Sequence, residues 1–398
     1  MFIQIHGLIG YPASLLVRDE AGLAKRLPFG GSTRTRISSQ SLKRHWRVAD
    51  TDRALGRVKP TSVRSRQIFR RLIAAPLVAE GFDVEKVVAV LLGFQNTLYK
   101  QSDKAKTRLK DAAKENKDPL EILDRKELTI LGYPEVRWLT DEARALLGED
   151  GDLDGVMERA ATRLKEIKAN MHALADGAGV DVAMFGRMIT GDLDARKDAA
   201  VHVAHAFTVH AQESEMDFFT AVDDLTKDEE TGSAHMGDTE LTCGLFYGYV
   251  VVDVPLLVSN LSGVHRANWR EGDLEGASQL VENLIHLIAT VSPGAKLGST
   301  APYASADLML IEAGSRQPRG LAYAFQKPVR NDLKAAASAL ADYLTEKDGL
   351  YERAETRWLA ALPRAGLDAA ALGASAGSIP GVAAAVAAHI RAAGEAAP

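Results

Sequence analysis

The sequence predicts an α+β fold, a split βαβ sheet of the ferredoxin or RRM type interrupted by a helical insertion, on three observations. Residues 2–9 alternate, with Ile3 and Ile5 on one face and Gln4 and His6 on the other, which is the period of a strand. Past Gly244, LFYGYVVVDV reads as a strand and SADLMLIEA as another, with a helix between them in which Leu280, Leu284, Leu287, Ile288 and Val291 keep helical spacing. Between these two parts lies a block, 63–180, whose segments read mostly as helix. At 398 residues, 46% hydrophobic and 25% charged, the chain has material for a sizeable core and is long for a single one.

Taken in order, the first strand is followed by the densest stretch in the chain, FGGSTRTRISSQSLKRHWR from Phe29 to Arg47. Gly30 and Gly31 open backbone angles closed to other residues and would let main-chain N–H groups approach a ligand. Arg34 and Arg36 alternate with Thr33, Thr35 and Ile37, so in an extended segment the two guanidiniums would point the same way. Ser38 or Ser39 is the natural N-cap of a helix starting near Gln40. On that helix Gln40, Lys43 and Arg47 share a stripe with Arg44 beside it, while Leu42 and Trp46 face a core. Cations within a turn or two of a helix N-terminus make a phosphate grip.

Val84 to Leu92 reads as a buried helix, Lys100 to Lys117 as a solvated Lys-rich one, and Leu153 to Ala175 as a charged one, with a turn-like LGYP at 131–134. Residues 201–208 place Val201, Ala204, His205 and Thr208 on one helical stripe. His202 and His205 have metal-ligand spacing there, but no carboxylate accompanies them, and they are assigned to packing. Met216 to Ala221 reads as a strand that LTCGLFYGY continues or partners, giving a protruding hairpin. Ten acids and one base, Lys227, lie between Glu213 and Glu240. Such an arm would meet nucleic acid through an apolar wedge, Phe218 or Phe219, and not by neutralising phosphates. SPGAKLGSTAPY lacks the Gly-Lys-Ser/Thr ending of a nucleotide-hydrolysing loop and leaves Lys296 as a phosphate contact. The predicted divisions are 1–62, 63–180, 181–243, 244–365 and an Ala- and Gly-rich helix and tail at 366–398.

The lone Cys243 excludes an internal disulfide framework and a cysteine zinc site. No apolar run approaches a membrane span and Met1 leads directly into FIQIHGLI, so a cytoplasmic protein is expected. Net charge is −5, yet Met1 to Leu72 carries fifteen Lys and Arg against four Asp and Glu, an excess of +11 that leaves −16 elsewhere. That asymmetry points to a polyanion-binding face near the N-terminus.

FGGSTRTRISSQSLKR, DVAMFGRM at 181–188, SEMDFFTAVDDL with GSAHMG, and PGAK resemble the backbone subunit of the type I-E CRISPR Cascade complex, the CasC or Cse-four family of the Cas-seven superfamily. The matching blocks are spread over roughly 1–310. The resemblance implies a hand-shaped molecule: an RRM-like palm in two parts, a helical fingers insertion at 63–180 and a β-hairpin thumb. It implies a non-catalytic scaffold without cofactor, whose copies polymerise along CRISPR RNA beside the large, small and guide-end-capping subunits and leave bases free to pair with target DNA. Carried over by position, Arg18, Lys25, Ser38, Gln40, Lys43, Arg47 and Lys296 would contact the RNA backbone. Met188 would contact bases and Phe219 would act as the wedge, while Ser32 stands where a further basic residue is expected.

A second reading is a metal-dependent ribonuclease of the type III backbone kind, in which Asp223 and Asp224, with Asp217, hold a divalent cation. Against it, Asp223 and Asp224 are natural turn and cap residues in a hairpin.

Overall fold

The computed structural model describes residues 1–148, 151–172, 177–187, 196–221, 235–295 and 299–395. It divides into one unit of 1–55, 201–254 and 277–398 and a second of 56–200 and 255–276.

β1 (Phe2–Ser14) is buried on both faces. β2 (Arg26–Phe29) and β3 (Ser32–Ile37) form a hairpin with Pro28 on the edge strand, where its missing N–H is tolerated. The two-residue turn between them has φ of +61° at Gly30 and +77° at Gly31. That is the mirror-image turn that matches strand twist. A Cβ on Gly30 would lie 1.5 Å from the Gln326 carbonyl oxygen. The glycines expected to bring N–H groups to a ligand are thus used to close a hairpin. α1 (Ser39–Val48) starts within a residue of its sequence expectation, with Ser38 at the N-cap, Trp46 buried and Leu42 against the core.

The second unit contains β4 (Ser62–Ser65), α2 (Ala75–Ala79), α3 (Val84–Tyr99), α4 (Ala105–Lys114), β5 (Thr129–Gly132), α5 (Tyr133–Leu147), α6 (Leu153–His172) and α7 (Val180–Phe185). α3 is its central helix and packs so closely on α6 that a Cβ at Gly93 would lie 2.4 Å from the Met157 carbonyl oxygen. β4 and β5 pair antiparallel, so the LGYP stretch is a strand end leading into a helix. The buried Arg187 guanidinium donates to Glu135, which also accepts the Gly132 N–H at the start of α5.

β6 (Val201–Val203), β7 (Ala206–Thr208), β8 (Glu213–Ala221) and β9 (His235–Asp253) follow, then α8 (Val254–Ser262), α9 (Leu274–Thr290), β10 (Ala306–Gly314), α10 (Leu333–Tyr351), β11 (Thr356–Ala361), β12 (Ala374–Ala376) and α11 (Ile379–Glu395). The helix expected over 201–208 is instead two short strands, each paired to β9, because cross-strand partners outweigh the local 3.6-residue pattern.

Ten strands make one sheet, ordered β12-β11-β10-β1-β9-β7-β3-β2, with β6 and β8 also on β9. Only β11–β12 is parallel among these pairs. β9 and β10 both run antiparallel to β1 between them, and α9 lies in their connection, which is a split βαβ arrangement. One sheet face, with Leu8, Leu245, Tyr247 and Leu310, packs on Leu333, Leu340 and Leu344 of α10. The other, with Ile5, Ile9 and Tyr11, meets Trp46 of α1 and Ile288 of α9 around a void of about 30 Å³.

Candidate nucleic-acid interface

The cationic segment resolves into two jobs. Arg34 is fully buried: its guanidinium donates to the carbonyls of Phe29 (3.3 Å), Thr208 (2.9 Å), Phe325 (2.9 Å) and Gln326 (3.3 Å), and burial pushes its pKa down. It ties the hairpin to β7 and to the segment before α10. Arg36 remains partly exposed, with Nε donating to the Arg26 carbonyl at 3.2 Å. The expectation of two ligand-facing guanidiniums therefore fails, since the sheet claims one of them.

Arg36 lines an open depression of about 790 Å³ with Arg18, Lys25 and Arg26 and with the carboxylates Asp19 and Glu20. The loop forming it is fixed by local bonds. Asp19 Oδ1 accepts the Ala21 and Leu23 N–H groups, the backbone of Arg18 bridges Ala24, and the Arg36 N–H donates to the Lys25 carbonyl at 2.8 Å. Arg26 also pairs with Glu240, a buried β9 carboxylate that accepts the Ala24 N–H at 2.7 Å and the Gln212 amide at 3.1 Å. Burial raises the Glu240 pKa, but the Ala24 N–H, Arg26 and Ser214 outweigh that and hold it below the usual range. This single carboxylate joins the root of the β8–β9 arm to the cationic loop.

At the start of α1, Ser38 sits at the N-cap without a side-chain capping bond, and the Ser39 N–H donates to Nδ1 of His205 at 2.9 Å. Gln40 is exposed, and Lys43 and Arg47 are partly exposed along the helix and make contacts within the protein. Burial, then Arg36, Lys25 and Lys43 in that order, lower the His205 pKa. The start of α1 thus meets the imidazole directly, and the charges of Arg36, Lys25 and Lys43 act on it. His205 was assigned to packing and is instead exposed.

Phe219 lies on β8 opposite Gly237, and a Cβ at Gly237 would meet its ring 2.7 Å away. Phe218 is 65% exposed, Met216 50% and Phe219 39%. Asp217 stands on the same strand opposite Thr239. Met188, Lys296, Asp223 and Asp224 lie outside the described residues. Among the described residues, no group of three or more His, Cys, Asp or Glu side chains is placed to hold a metal ion, and no helix is long and apolar enough to cross a membrane.

Guanidinium and ammonium groups lining an open depression suit phosphates. The fold and this face define an α+β protein with a cation-rich surface depression. The chain belongs to the CT1975-like protein family, whose model matches residues 3–384. It is similar to a chain of a "CRISPR RNA-guided surveillance complex, pre-nicking", at 28% identity and a TM-score of 0.80, covering 98% of this chain and 100% of that one. A chain of a "CRISPR RNA-guided surveillance complex" shares the fold at 24% identity and a TM-score of 0.69, over 98% of this chain and 100% of that one. No curated protein matches the sequence.

Proposed function

We propose that the chain is a non-catalytic CRISPR RNA-binding scaffold that polymerises along the guide as the backbone of a type I-E Cascade surveillance complex. In this reading the ten-stranded unit is the RRM-like palm, the β8–β9 hairpin the thumb and the second unit the fingers. The palm holds phosphates and ribose and leaves Watson–Crick edges to pair with a target DNA strand. The gathering of Arg18, Lys25, Arg26 and Arg36 around one open depression carries the proposal. Such a cluster holds charge at fixed spacing and has no constellation aimed at one base. The full-length likeness to a surveillance-complex chain supports it.

Mass analysis of the purified chain with unstructured RNAs of increasing length tests the scaffold. Mass rises in steps of one subunit as the RNA lengthens, and one fixed stoichiometry at every length removes polymerisation from the account.

A further inference from the structure

Beside the charges of Arg36, Lys25 and Lys43, His205 is held toward its neutral form, and its place in the fold is unusual. Val203 pairs with Val250 and Phe207 with Tyr247, so four steps along one side of the ladder face three along the other. One extra residue is accommodated at Ala204–His205, the signature of a β-bulge, which re-aims a side chain out of the pleat. Local sequence could not show this, because a bulge exists only relative to a partner strand.

The bulge places the imidazole against α1, where Nδ1 accepts the Ser39 N–H at 2.9 Å. A nitrogen that accepts carries no proton, so in the neutral ring the proton sits on Nε2 and that nitrogen is a donor. The ring is exposed, and among the described residues its one hydrogen bond is to Ser39. Burial first, then the charges of Arg36 on β3, Lys25 in the loop and Lys43 on α1, disfavour a positive charge on it.

We propose that His205, locked by Ser39 as the Nε2–H tautomer, donates a hydrogen bond from Nε2 to a phosphate oxygen of the bound RNA strand, as an uncharged member of the cationic grip. The inference rests on the RNA-binding reading of this face and adds a contact of a different physical kind. A lysine or arginine at a phosphate releases counterions on binding, whereas a neutral donor contributes a short-range bond and no charge.

The two kinds of contact separate in a salt titration. Equilibrium binding of the full chain to a short polyuridylate, measured against KCl concentration, is compared for wild type, His205→Ala, His205→Gln, His205→Asn and the double variant Lys43→Ala with Arg47→Ala. The double variant weakens binding and reduces the slope of log K against log salt by roughly 0.7 per lost phosphate contact. His205→Ala weakens binding about tenfold at every salt concentration, as loss of one bond to a charged oxygen requires, and leaves the slope unchanged.

Gln places an amide N–H near the Nε2 position and restores most of the affinity. Asn places its carbonyl near Nδ1, restores only the bond to Ser39, and does not. Wild-type affinity in His205→Ala, a lowered slope in that variant, or any pattern other than rescue by Gln alone overturns the proposal. Rescue by Asn would make the ring a cap of α1 and nothing more. A double variant that binds like wild type sinks the RNA-binding reading itself. A weakened double variant with undiminished His205→Ala sinks only the role given to His205.

Discussion

Arg34 and Arg36 are two positions apart on one strand and have opposite surroundings. Four carbonyl oxygens converge on the Arg34 guanidinium inside the protein, whereas Arg36 stays at the edge of the open depression. Removing Arg34 leaves buried carbonyls without their donor as well as a cavity. Arg34→Ala is therefore expected to cost about 3 kcal/mol or more in urea unfolding. Lys43→Ala with Arg47→Ala, on a partly exposed helix face, is expected to change stability by less than about 1 kcal/mol and to weaken binding equally for unrelated RNA sequences. Loss confined to particular sequences would show that this face reads bases. The alternation of residues 33–37 made both arginines visible in the sequence. Which one the core would take depended on Thr208, Phe325 and Gln326, which no local pattern connects to them.

Among the elements, the β2–β3 hairpin and the β8–β9 arm carry the site's geometry. Both turn glycines have positive φ, but only Gly30 is pressed against backbone from elsewhere. Gly31→Ala should cost about 1–2 kcal/mol from the left-handed conformation alone. Gly30→Ala must also displace the 326 segment, so its thermal midpoint should fall well below that of Gly31→Ala. Equal midpoints would remove the packing argument. On the arm, acids and exposed apolar side chains occur together, so under the proposed function it would meet RNA through apolar surface and not mainly by charge. Phe219→Ala is expected to leave the affinity of the chain for RNA largely intact and to change the spacing of subunits along a guide, visible as altered nuclease footprints on assembled complexes. An unchanged footprint would take the wedge role from Phe219. The hairpin was legible because its strands are aromatic and separated by turn residues. The two strands at 201–208 were read as a helix because three residues each are too few to show a period.

For the ten-stranded unit as a whole, a buried charge network crosses the sheet. Glu312 of β10 meets His6 of β1 at 3.3 Å, Arg357 of β11 at 2.8 Å and Arg319 at 3.3 Å, and Arg357 also pairs with Asp348 of α10. Gln4, on the same face of β1, accepts the Arg319 N–H at 2.7 Å. Burial alone would raise the Glu312 pKa, but His6, Arg319 and Arg357 outweigh it and bring it from 4.5 down to about 2. A carboxylate depressed on folding binds fewer protons folded than unfolded, so its contribution is present above pH 4.5 and is lost as pH falls toward 2. The shift corresponds to stability on the order of 3 kcal/mol. The stability gap between wild type and Glu312→Gln should narrow from pH 6 to pH 3 in denaturant titrations. A gap independent of pH would show that Glu312 is not the titrating group.

What the sequence determined by itself is what short-range chemistry controls: the start of α1 at Ser38–Ser39 and its core-facing Trp46, the strand at Phe2, the amphipathic helix through Leu280, the hairpin arm and the cationic N-terminal seventy residues. Each depends on neighbours a few positions away and on the period they create. Tertiary structure alone decided the fate of Arg34, the packing of Gly30 against Gln326, the bulge that turns His205 toward α1, and the two strands β11 and β12 that extend the sheet. Arg34 and Gly30 answer to the 325–326 segment, the bulge to its pairing with β9, and the sheet edge to pairing with β10, none of which a local period reveals. Burial and backbone pairing across such distances select one conformation that no local propensity favours.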